Sequence, residues 1–146
     1  MSVPLRRRIS CSVEATGAAW LISGTVFAVV IKGPGTISAW LIWGTFFFLS
    51  GWTLVGLPII ALGERVLTMG QPLVMIVAGT GGAVVMLVPI ALTKALAAQG
   101  GYRWSWSLGD FLWPSVAFII ATPTGWLYRK LLNNERMKVQ TPNGAR

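Results

Sequence analysis

The chain has 146 residues, 54% of them hydrophobic and only 11% charged, less than half the charged share of about 25% in soluble domains. With a mean hydropathy of +0.67, this composition excludes a soluble globular surface, and also a disordered chain, which is poor in apolar residues. The net charge of +8 would suggest nucleic acid in a soluble protein, but beside membrane spans basic residues follow the positive-inside rule. No nucleic-acid motif accompanies them, so no nucleic-acid partner is expected.

Charged residues divide the sequence into four apolar runs. The first, 15–31, lies between Glu14 and Lys32 and has the minimum length for a spanning helix. It follows Arg6, Arg7 and Arg8, a basic start that resembles a secretory leader. No small-residue cleavage site follows Ile31, so the run reads as an uncleaved span. The second run extends from Gly33 to Gly63. Its opening Gly33-Pro34-Gly35 is a turn signal, which places the helix at 36–63. Within it, Gly51, Gly56 and Pro58 predict a kink or an early end. The third span is expected at 71–93, with Pro72 in its first turn, where a missing N–H costs nothing. The fourth is expected at 111–128, with Pro114 and Pro123 inside. No run shows the charge periodicity of an amphipathic soluble helix.

The expected architecture is an all-α four-helix transmembrane bundle. It comprises a basic N-terminal segment 1–14, a membrane domain 15–128 and a basic tail 129–146. Four spans leave both termini on one side. That side carries nine Lys and Arg, including Arg6, Arg7, Arg8, Arg129 and Lys130, against three on the other. The asymmetry places both termini in the cytoplasm of a cell (inner) membrane. Seven of the eight tryptophans fall near span ends, as an interfacial belt requires; Trp52 alone falls deep in a span. The connection from Lys94 to Asp110 is the longest, and its aromatic–polar alternation suits a segment lying on headgroups. The polar tail after Asn133 reads as disordered.

The residue inventory narrows the chemistry. There is no histidine, one cysteine (Cys11) and four acids: Glu14, Glu64, Asp110 and Glu135. A Ser/His/Asp or Cys/His triad is impossible, and the chain alone cannot supply a zinc or iron–sulfur ligand set. No cofactor and no metal are expected, and the chain does not read as an enzyme. Cys11 beside the arginines reads as an unmodified thiol at the membrane edge. An intramembrane charge would mark a coupled transporter, but Glu14 precedes the first run, and Glu64 reads as a loop pair with Arg65.

Small residues recur four apart, which places them on one helix face. These are Ala15, Ala19 and Ser23 in the first span; Ala78 and Gly82, with Gly79 and Ala83, in the third; and Ala117, Ala121 and Gly125 in the fourth. In lipid such faces let helices approach closely. The expected function is therefore non-catalytic: an accessory or assembly subunit contacting other membrane proteins, or a homo-oligomer, in the lipid bilayer. A small transporter or channel using Thr45, Ser50, Thr53, Thr80 and Thr122, or a holin-like membrane-perturbing protein, are the alternatives.

Overall fold

The computed structural model describes residues 3–30, 33, 35–63, 65–101 and 105–140. Lys32, Glu64, Arg103, Trp104 and the last six residues, on which sequence expectations fell, lie outside the described residues. Among those described there is no strand. The chain forms α1 (Leu5–Val30), α2 (Ile37–Leu62), the short α3 (Arg65–Thr68), α4 (Gln71–Gln99) and α5 (Leu108–Gln140).

Local chemistry sets the helix boundaries. Gly35 takes φ +83° before α2, and Gly63 takes φ +58° after it, conformations that glycine adopts without a Cβ clash. Gly70 precedes α4 with ψ 141°, and Pro72 sits in the first turn, where it is tolerated. At the other end of α4, Gly101 takes φ +84° and its N–H donates to Ala98 O at 3.1 Å.

Pro58 does not end α2. Backbone angles stay helical from Ala39 to Leu57, and two π-helical turns interrupt the α-helix, at Trp40–Gly44 and Trp52–Gly56. In the second, the Leu57 N–H donates to Trp52 O, five residues back. Widening the helix just before Pro58 gives its ring room that an α-turn denies.

Three helices, α1, α2 and α4, are long and apolar enough to cross a membrane. α5 is longer, but Pro114, Pro123 and several Ser and Thr dilute its apolar stretch, and it does not reach the same apolarity. The large apolar side chains point outward: Leu21, Ile22 and Ile119 are 62%, 67% and 69% exposed. A water-soluble protein would bury them; a protein in lipid gains nothing by doing so.

The helices form a ring. α5 runs along much of α4 and along α1, while α2 bridges α1 and α4. The true core is small and lies at the end where α1 begins, with Cys11, Ala15, Ile60, Val74, Tyr128 and Leu132 packed together.

Three expectations are corrected. The segment after Asn133, expected to be disordered, is helical to Gln140. Leu132 is fully buried, and Glu135 pairs with both Arg7 and Lys138, so the polar turns have partners that hold them. The connection between α4 and α5 is shorter than the charge pattern implied, because α4 continues past Lys94 to Gln99. Trp20 and Trp40 do not present their indole N–H groups at a lipid interface, since both nitrogens are buried.

Candidate functional site

The seam between α4 and α5 is built on missing side chains. A Cβ added to Gly82 would stand 2.8 Å from the Ala121 Cβ and 3.1 Å from Ala117 O. One added to Gly125 would stand 2.7 Å from the Ala78 Cβ and 3.1 Å from Val74 O, and one on Gly79 would strike Thr122 and Phe118. The structure thus brings Ala78, Gly79 and Gly82 of α4 against Ala117, Ala121 and Gly125 of α5. This interface is internal. Ala83 is half-buried. On α1, Ala15 is buried, while Ala19 and Ser23 are half-buried, and the Ser23 hydroxyl donates to Ala19 O at 2.6 Å and Trp20 O at 3.1 Å. α1 meets α2 one turn further on, where the Trp40 indole lies against Gly24 and the Phe27 ring, its centroid 5.3 Å away.

Closing the ring this way leaves space in the middle. A cavity of ≈ 570 Å³ lies between the four long helices and is lined by residues of each, including Ala15, Gly51, Val85 and Ala121. It extends along α4 from Ala78 to Thr93, roughly 22 Å at about 1.5 Å per residue. Among the described residues, no Asp, Glu, Lys or Arg lines it. A few polar groups do, all uncharged. Ser12 is buried and accepts from the Trp52 indole N–H at 3.0 Å, which explains the one tryptophan that the sequence places deep in a span. Tyr128 is 5% exposed and its hydroxyl has no hydrogen-bond partner.

Of the hydroxyls expected to line a polar pathway, Ser50 and Thr80 line one groove between α2 and α4, and three are bonded within their own helix. Ser50 donates to Phe46 O, Thr53 to Leu49 O and Thr122 to Phe118 O, each one turn back on its own helix. Such bonds satisfy the hydroxyl locally.

Among the described residues, charge gathers at the two ends. At one end Arg7 on α1 pairs with Glu135 on α5, which also takes Lys138 at 2.7 Å. Arg8 donates to Val3 O at 2.8 Å, and Arg129 to Leu67 O at 3.2 Å. Lys130 stands over the Trp126 ring, 5.0 Å from its centroid, while Arg6 is exposed. Glu14 is also exposed and accepts from Ser10 at 3.0 Å. Lys138 and then Arg7, by donating to it, hold the Glu135 carboxyl below its usual range. Cys11 is buried at this end as a small apolar group, not at an open edge.

At the other end Lys94 of α4 bonds Asp110 of α5 at 2.6 Å and Ser105 O at 2.8 Å, with its ammonium 5.1 Å from the Trp106 ring centroid. Asp110 also accepts from the Ser107 N–H at 2.6 Å and its hydroxyl at 2.9 Å, the carboxylate half of a capping box. These donors, Lys94 first, hold the Asp110 carboxyl down at about 2.

The described residues contain no group of three or more Cys, Asp or Glu able to hold a metal ion. Sequence reasoning found the small-residue faces but missed the cavity and its Tyr128 hydroxyl, for which no signal exists short of knowing how the helices are arranged. Compared with protein-family models, curated proteins and solved structures, the chain matches none.

Proposed function

We propose that this chain is a four-span integral protein of the cell (inner) membrane, with both termini cytoplasmic, that acts non-catalytically through contact with other membrane proteins or a second copy. The observation that carries the membrane reading is the placement of charge along α5. Asp110 pairs with Lys94 near one end and Glu135 pairs with Arg7 near the other. The 25 helical steps from one to the other span roughly 38 Å at about 1.5 Å each. That length exceeds a hydrocarbon core of about 30 Å and falls just short of the full bilayer at about 40–45 Å. The stretch from Phe111 to Tyr128 holds no charge, so α5 serves as a fourth span despite its diluted hydropathy. The Arg7–Glu135 pair joins the start of α1 to the last turns of α5, as an even number of crossings requires. The arginines beside it favour the cytoplasmic side.

The contact role rests on the outward apolar surface and on a cavity free of any acid, base or nucleophile–base pair. The small-residue faces of α4 and α5 are used inside the chain, so a partner would meet α1 and α2. There Gly17 is exposed with nothing within 4 Å of an added Cβ, and Ile42 is 67% exposed. Native mass spectrometry after extraction in mild detergent tests this reading. It predicts a defined complex or homo-oligomer, and a lone monomer under all conditions would contradict it. The second reading, a small transporter, is favoured by the central cavity. Without a lining charge, its cargo would be uncharged.

A further inference from the structure

We propose that the central cavity holds one hydrocarbon chain of a bilayer lipid, admitted between α2 and α4, with an ester oxygen of that lipid accepting from Tyr128. This rests on the membrane reading above and adds a ligand to it.

Three observations meet here. The cavity, at ≈ 570 Å³, falls in the range of about 300–1,000 Å³ typical of ligand sites. Its long, uncharged, largely apolar form suits an alkyl chain and disfavours an ion. The cavity is also partly open to the surface. A second, outward groove of ≈ 740 Å³ lies between α2 and α4, and Phe47, Val55, Val85 and Pro89 line both. These four side chains stand where the cavity and the groove adjoin, and none is charged. Finally, Tyr128 lines the end of the cavity near Arg8 and Arg129, and its buried hydroxyl is unsatisfied. A buried hydroxyl without a partner is costly. An acceptor on an otherwise apolar molecule would remove that cost. A lipid of the cytoplasmic leaflet carries ester carbonyls at the boundary between headgroup and chain, the level at which Tyr128 stands in the four-span arrangement.

Gly51 supplies the test. It lines the cavity, and a Cβ there meets nothing within 4 Å, so Gly51→Leu sends its side chain from open space into the cavity volume. The full chain is placed in phosphatidylethanolamine–phosphatidylglycerol vesicles doped with a phospholipid carrying a diazirine in one acyl chain. Insertion is checked by flotation, and labelled residues are mapped by mass spectrometry after illumination. The expected result is label on cavity residues such as Ala121 and Thr124 as well as on outward Leu92 and Ile119. Gly51→Leu should lose the cavity label and keep the outward label, and Gly17→Leu should keep both. Tyr128→Phe should weaken cavity labelling by the phospholipid but not by a diazirine alkane, which has no ester. Label confined to Leu92 and Ile119 in a floating protein would overturn the proposal alone, as would cavity label indifferent to Gly51→Leu. Cavity labelling by a free diazirine alkanol with none by the phospholipid would overturn the assignment to a bilayer lipid. A chain that fails to float would overturn the membrane reading, and this one with it.

Discussion

Gly82 of α4 faces Ala121 of α5 so closely that even a methyl group on Gly82 would come within 2.8 Å of the alanine Cβ. The two helices are held at a separation that only hydrogen at Gly82 permits. In lipid, where apolar faces gain nothing by leaving the solvent, such backbone proximity is the main source of van der Waals attraction between helices.

Gly82→Ala should therefore destabilise the protein, because the facing atoms include the α5 backbone and cannot simply rotate away. Overpacking of this kind costs about 1–3 kcal/mol. Gly17→Ala, also within a helix but open to its surroundings, should instead stabilise by about 0.5–1 kcal/mol through backbone entropy. Thermal unfolding in detergent should separate the two in opposite directions. Equal shifts would mean that the seam is looser than described.

The Trp52–Ser12 hydrogen bond ties α2 to α1. Ser12→Ala leaves the indole N–H without its acceptor, at a cost of about 1–3 kcal/mol. In a double-mutant cycle with Trp52→Phe, the two losses should fall short of additive. Strict additivity would show that the groups do not interact.

Acid should loosen both ends of the bundle. Asp110 is held at about 2 from an ordinary 3.8, by Lys94 first and the Ser107 N–H second; Glu135 moves the same way, through Lys138 and Arg7. A carboxyl with a lowered folded pKa stabilises fully above its unfolded value, and loses that contribution as pH falls through the folded one. For Asp110 the window runs from about pH 4 down to about 2. The stability gap between the native chain and Asp110→Asn should be constant above about pH 5 and close across that window. A gap that persists at pH 2 would contradict the pairing.

Much of the fold was legible in the sequence, because lipid imposes long uncharged runs and glycine marks their ends: Gly35, Gly63 and Gly101 all carry positive φ. The recurring Ala and Gly of the third and fourth runs also signalled close approach, though not whether to each other or to another chain. The helical tail was hidden because its order depends on pairs distant in sequence, such as Arg7 with Glu135. Local composition there says only that the segment is polar. The π-helical turns beginning at Trp40 and Trp52 were equally invisible, since each reflects a backbone accommodating a bulky ring or Pro58. The cavity is a property of four helices in a ring, and no single run encodes it.

The proposed topology has four crossings with both termini in the cytoplasm. A reporter active only outside the cytoplasm, fused in turn at Gly35, Glu64, Gly101 and Gly144, tests that directly. Signal is predicted at Gly35 and Gly101, with none at Glu64 or Gly144. Signal at Gly144 would mean an odd number of crossings, remove α5 as a span and contradict the account.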